Sequence, residues 1–189
     1  MLTATIDAKE GRDVAIIDIP NAFVQTKMDD KVVIKLRGKL AEIMVMMAPE
    51  IYTKYIVVEK GTPVLYVELL NALYGTLKAA LLFYKKLVSD LKSIGFVVNP
   101  YDFCVANKMI NGKQMTIVWH VDDLKISHVD SREVTKIINW FKSKYEDKNI
   151  GEMKASRGKV HDYLGMVLDY SIAGEVKVSM VAYIKSMLE

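Results

Sequence analysis

The sequence predicts an α+β fold, an antiparallel sheet backed by helices. Three observations predict it. Residues 103–110 and 113–119 are strand-like runs joined by Asn111-Gly112, a dipeptide that favours the primed turn matching strand twist. The second run continues through Asp122-Asp123 into residues 124–127, which makes a three-stranded meander. Finally, Leu73, Leu77, Ala80, Leu81, Tyr84, Leu87, Leu91 and Ile94 recur at three- and four-residue steps, the pattern of one long amphipathic helix ending near Gly95.

The other elements follow in chain order. Residues 1–12 read as a helix closed by Gly11, without a decisive apolar period. Residues 13–18 form a buried-looking strand ending in a carboxylate, after which Pro20 stops the ladder and turns the chain into a short helix. Residues 32–36 are a second strand. In residues 39–47, Leu40, Ile43, Met44 and Met47 stand at helical spacing, and such a methionine-rich stripe fits a core better than a cofactor site. Residues 52–59 and 64–69 flank the turn residues Gly61 and Pro63 and read as a hairpin. Lys78, Lys85, Lys86 and Lys92 suit phosphate or simply a wet helix face, the latter being the better reading. Ser131 is placed to cap a helix carrying Val134, Ile137, Ile138 and Phe141, although Arg132 opposes its dipole. Lys154, Arg157 and Lys159 precede a strand at Tyr163, and a last helix spans residues 180–188.

A chain of 189 residues with 51% hydrophobic content can bury a real core. A formal net charge of +3 permits nucleic-acid binding without arguing for it, because a basic groove can sit on a nearly neutral protein. The one cysteine, Cys104, excludes an internal disulfide and a cysteine-based metal cluster. No apolar run approaches the roughly 18 residues that would span a bilayer, so a soluble piece is expected, with no membrane partner. His120, His128 and His161 are isolated, with no serine or cysteine nucleophile in a recognisable motif beside them.

Chemistry concentrates in two acidic stretches. Asp122 and Asp123 lie where two strands meet, and Asp18 ends the strand of residues 13–18. Adjacent carboxylates repel unless a proton or a cation sits between them, and a divalent ion held by oxygens is the usual remedy. Three carboxylates from two strand ends suit a two-metal site, in which ions about 3.5–4 Å apart stabilise the attacking and leaving oxygens of a phosphoryl displacement. The plainer alternative is a solvated acidic turn and an aspartate that merely ends a strand.

These residues also resemble a family. Asp18-Ile19-Pro20-Asn21-Ala22-Phe23 is similar to the first catalytic motif of reverse transcriptases, and His120-Val121-Asp122-Asp123 to their Tyr-x-Asp-Asp box. Leu70-Asn71-Ala72-Leu73-Tyr74-Gly75-Thr76-Leu77-Lys78-Ala79-Ala80, with Phe83-Tyr84, resembles the Ala-Leu-Tyr-Gly motif of copia-type long-terminal-repeat retrotransposons. Tyr163-Leu164-Gly165-Met166-Val167-Leu168 resembles the primer-grip hairpin. Four motifs in the family's order are far more specific than any one.

The resemblance implies a reverse-transcriptase palm with incomplete fingers and thumb. Residues 1–170 would form the palm with partial fingers and primer grip, and residues 171–189 the start of a thumb or connection region. It implies an RNA-directed DNA polymerase in which Asp18, Asp122 and Asp123, with the Ile19 carbonyl, hold two Mg²⁺ ions, Mn²⁺ being possible. Phe23 would act as a steric gate against the ribose 2′-hydroxyl, with Tyr74 and Gly75 lining the nucleotide and Gly75 allowing close backbone approach. Tyr163, Leu164 and Gly165 would hold the primer end. The implied partners are an RNA or DNA template-primer, deoxynucleoside triphosphates and other parts of a Pol polyprotein. The implied location is intracellular, in a cytoplasmic retrotransposon particle or the nucleus.

His120 stands where the family has Tyr, Thr76-Leu77-Lys78 where Leu-Lys-Gln is common, and Ala80 where Pro is usual. Two rival readings share the aspartates: an inactive truncated remnant that keeps the fold, and a metal-dependent phosphohydrolase.

Overall fold

The computed structural model describes residues 1–188 and bears out the α+β expectation, with three antiparallel sheets backed by helices. The largest sheet has six strands: β1 (Asp13–Asp18), β5 (Val97–Val98), β6 (Val105–Ile110), β7 (Lys113–His120), β8 (Asp123–His128) and β9 (Lys154–Arg157), in the order β5-β6-β7-β8-β1-β9. The expected meander is its centre. Asn111 and Gly112 both have positive φ, +51° and +73°, as a type I′ turn requires.

Strand alternation assigns the two faces. Ala15, Ile17, Ile117, Leu124 and Ile126 enter the main core, which is closed by α4 (Ala79–Ser93) and α5 (Ser131–Tyr145). Burying each of these isoleucine and leucine side chains contributes about 1.5–3 kcal/mol before conformational entropy is set against it. On the opposite face, Val14 and Ile16 pack with Ala4 and Ala8 of α1 (Leu2–Lys9) and with Tyr163 and Leu168 of a hairpin. That hairpin, β10 (Val160–Tyr163) and β11 (Met166–Asp169), joins β12 (Lys177–Ser179) in a second sheet. The third sheet, of order β2-β4-β3, contains β2 (Lys27–Arg37), β3 (Val57–Glu59) and β4 (Thr62–Asn71), and it carries α2 (Lys39–Met47) and α3 (Pro49–Tyr52). The chain's last described helix is α6 (Val181–Leu188). No helix among the described residues is long and apolar enough to cross a membrane.

Several expectations need correction. Residues 20–25 form turns, not a helix, because Asn21 takes a left-handed φ of +47°. The expected strand at residue 52 starts only at Val57. Pro49 opens α3, which runs into a single 3₁₀ turn, and Pro's fixed φ favours that first helical position. The long helix begins at Ala79 rather than Leu73, and Ala79, Leu82, Phe83, Leu87 and Leu91 are its buried residues, leaving Ala80 and Leu81 outside. Leu73 and Leu77 match the period but lie in exposed turns, since Gly75 at φ +90° breaks the helix. The methionine stripe of α2 is not core: Met46 and Met47 are each 78% exposed, and Ala41 is the helix's buried residue. Asp130, not Ser131, caps α5, its side chain accepting from the Arg132 N–H at 2.9 Å. Of the α4 lysines, Lys86 bonds Asp90, while Lys78, just before the helix, pairs with Asp29 and Asp30.

Candidate active site

The acidic corner is built by register. β1 runs antiparallel to β8 with Asp18 directly opposite Asp123, and side chains directly opposed in such a pair share a face, with Cβ atoms about 4.5–5.5 Å apart. Asp122 precedes Asp123 in the two-residue turn that links β7 to β8, where His120 faces Asp123. The Ile19 N–H donates to the Asp122 carbonyl at 3.0 Å, tying the end of β1 to that turn. Asp18 and the consecutive Asp122-Asp123 pair, distant from it in sequence, therefore meet at one end of two adjacent strands.

The turn is strained. Val121 has φ +57°, with positive φ at the first central position and not the second, the pattern of a type II′ turn that ordinarily takes glycine. A β-branched residue there costs on the order of 1–3 kcal/mol. The packing of the Val121 side chain against the main core and the Ile19–Asp122 bond offset it.

Asp18, Asp122 and Asp123 are half-buried, and among the described residues none forms an ion pair. Burial pushes the Asp123 carboxyl above its ordinary range, and the charges of Asp122 and Asp18 push it further in the same direction. The Tyr74 phenol donates to Asp122 Oδ2 at 3.2 Å. Burial, then the Asp122 charge, raises the Tyr74 pKa, which keeps the phenol a donor. The hard oxygen donors fit a divalent cation such as Mg²⁺ in kind. Among the described residues, however, no three His, Cys, Asp or Glu side chains are arranged as a ready cation cage. Register brings the donors to one corner without converging them on a point.

The remaining candidates divide into two groups. Ile19 is fully buried, and Phe23 is 9% exposed and belongs to the main core. The Phe23 ring nonetheless reaches the site, with its centroid 4.3 Å from that of Tyr74. No protein atom lies within 4 Å of where a Gly75 Cβ would be. The Gly75 φ of +90° closes a type II turn in which the Thr76 N–H donates to the Leu73 carbonyl, placing Tyr74 at the corner. Tyr163, Leu164 and Gly165 lie at the end of the β10–β11 hairpin, Leu164 and Gly165 forming its turn at φ +52° and +74°. A Cβ on Gly165 would lie 3.1 Å from the Tyr183 ring of α6, so this turn does require close approach. Burial raises the Tyr163 pKa, and the charge of Asp123 adds to the shift.

One feature escaped the sequence reading. Lys125, 2% exposed, bonds to Asp7 of α1, itself 1% exposed. Arg12 approaches Asp7 at 3.8 Å and donates to Thr116 Oγ1 at 3.0 Å. Burial lowers the Lys125 pKa, opposed by the Asp7 charge. Strand alternation puts Lys125 on the same face as Asp123, so this buried ion network lies behind the acidic corner. The available signal was a lysine between Leu124 and Ile126 in a strand covered on both faces.

No protein-family model matches the chain, and no curated protein matches it. Among solved structures, the chain is similar to apo telomerase from Candida tropicalis, with 12% sequence identity and a TM-score of 0.47. The likeness covers 93% of this chain and 35% of that one, so the chain spans about a third of that protein's length.

Proposed function

We propose that the chain is the palm region of a copia-type retrotransposon reverse transcriptase, an RNA-directed DNA polymerase that adds deoxynucleotides to a primer 3′-hydroxyl. The observation that carries this reading is the opposition of Asp18 to Asp123, with Asp122 beside them, in a chain whose four motifs follow the family's order. Asp18, Asp122, Asp123 and the Ile19 carbonyl would hold two Mg²⁺ ions, or Mn²⁺. Bound there, the ions would supply charge stabilisation for an in-line displacement and a lowered pKa for the primer hydroxyl.

The chain's own residues do the positioning. The Ile19–Asp122 backbone bond and the packed Val121 turn fix the backbone that carries Asp122 and Asp123 beside the end of β1. Phe23, held by the core, backs Tyr74 to make an aromatic wall beside the acidic corner, where a deoxyribose would lie. The Leu164-Gly165 turn, set against Tyr183, would hold the primer end. In this reading residues 1–170 are palm, partial fingers and primer grip, and residues 171–189 begin a thumb or connection. Template-primer, deoxynucleoside triphosphates and other parts of a Pol polyprotein are the partners, in a cytoplasmic particle or the nucleus.

Primer extension on an RNA template with Mg²⁺ tests the proposal. Extension by the chain, lost in Asp122→Asn, is the expected result. A folded chain that extends no primer at any salt or metal concentration would instead be an inactive remnant. Phosphate release without a primer would indicate a phosphohydrolase.

A further inference from the structure

Two apolar elements of the chain have no cover among the described residues. One is a groove of about 550 Å³ between α2 and the third sheet, lined by Glu42, Val45, Met46, Thr53, Ile56 and Pro63. The other is α6, an eight-residue helix with no buried residue. We propose that they are the two halves of one self-association contact, in which α6 of one copy of the chain lies in the α2 groove of the next.

The groove has the composition of a receiving surface. Leu40, Met47 and Ile51, each at least 50% exposed, extend it along α2 and α3. Apolar residues scattered singly over a surface need no explanation, whereas a group of them beside a groove marks an interaction site. Met46 in its wall has the unbranched, flexible side chain that moulds itself to an incoming surface. On α6, Val181, Ile184 and Leu188 stand at i, i+3 and i+7 and form one exposed stripe. Tyr183 on the neighbouring face lies against Gly165 and ties the helix to its own hairpin, which leaves that stripe free.

Two observations select α6 of a second copy as the occupant. The helices α1, α4 and α5 each bury residues against the large sheet, and α3 is a single turn, so α6 is the amphipathic helix of the described chain that still lacks a partner. Charge selects the same pair. Glu42 is the one charged residue lining the groove, Lys185 is the one charged residue of α6, and neither forms an ion pair among the described residues. Laying a helix in an apolar groove is a recurring mode of recognition. A helix this short covers less than a standard interface, so the contact is weak and concentration-dependent. Because groove and helix are different patches, the contact is heterologous and copies add head to tail.

Sedimentation equilibrium on the whole chain, from about 1 µM to 1 mM, tests this over the range of weak interfaces. The parent is expected to show a weight-average mass that rises with concentration. Met46→Asp in the groove and Ile184→Asp on α6 should each weaken association at least about 10-fold, since each puts an unpaired charge into the contact. Both positions are exposed, and circular dichroism melts verify an unchanged fold. Mixed in equal amounts, the two variants should form a dimer and nothing larger, because one keeps an intact helix and the other an intact groove. Glu42→Lys or Lys185→Glu alone should weaken the contact about 2–5-fold, and the two in one chain should restore it. A monomer throughout the range overturns the proposal, as does association that survives either aspartate variant or a mixture that yields no dimer.

Discussion

The six-stranded sheet and the β2-β4-β3 sheet are made from similarly apolar sequence and end in different states. In the first, β1 is buried at four consecutive positions, because α4 and α5 cover one face while α1 and the β10–β11 hairpin cover the other. In the second, β2 shows no buried position, and α2 leaves Leu40, Met46 and Met47 in solvent. Apolar content therefore does not locate a core. Cover on both faces does, and the acidic corner hangs from the sheet that has it, where the backbone is held most firmly.

The sharpest way to break this comparison is to disturb the ion network behind the corner. Lys125→Met leaves Asp7 buried without its closest cation, and unfolding in guanidinium should show a loss of about 3–5 kcal/mol. The double variant Asp7→Leu, Lys125→Met should regain most of that loss, since replacing both charges removes the unpaired one. A Lys125→Met loss below 1 kcal/mol would contradict the placement of this network in the interior.

Ile117→Ala, at a fully buried position in β7, should cost about 2–5 kcal/mol by the same measurement, through lost transfer free energy and the cavity left behind. A smaller and pH-dependent effect is expected where α4 meets α5. Asp90 accepts from Tyr145 at 2.6 Å and Lys86 at 2.7 Å, and pairs with Lys144 at 3.2 Å. Burial pushes its carboxyl up, but these partners together outweigh burial and hold the pKa below its ordinary 3.8. The stabilisation is accordingly present above pH 3.8 and is lost as pH falls below that value through the folded-state pKa. Thermal melts between pH 2 and 5 should show a steeper acid limb in the parent than in Asp90→Asn. At the far end of the scale, Met46→Ser in α2 should shift stability by no more than about 0.5 kcal/mol. A loss comparable to that of Ile117→Ala would mean that α2 is covered after all.

The sequence was informative where a signal is local. Asn111-Gly112 specifies its turn within two residues, and carboxylates at strand ends mark themselves against apolar runs. It failed where the outcome depends on what lies above a face. Leu73 and Leu77 continue a helical period that Gly75 has already ended, because periodicity records spacing and not backbone conformation. The stripe of α2 predicted its helix, with bounds at Lys39–Met47, while nothing in it states that no partner covers it. Asp7 and Lys125 meet across 118 residues, a pairing with no local trace. Of the site, the aspartates and the hairpin turn at Leu164-Gly165 were legible. The Tyr74–Asp122 bond was not, since the turn that aims Tyr74 is set by tertiary contacts as much as by Gly75.

The margins of the large sheet carry a consequence for the protein at high concentration. On one side β5 offers only two residues, and on the other β9 is exposed along its length and bears Lys154 and Arg157. Short or charged borders are poor templates for a visiting chain. Layer-by-layer fibre growth from this sheet is thus disfavoured, and a concentrated stock is better guarded by those two borders than by the modest net charge.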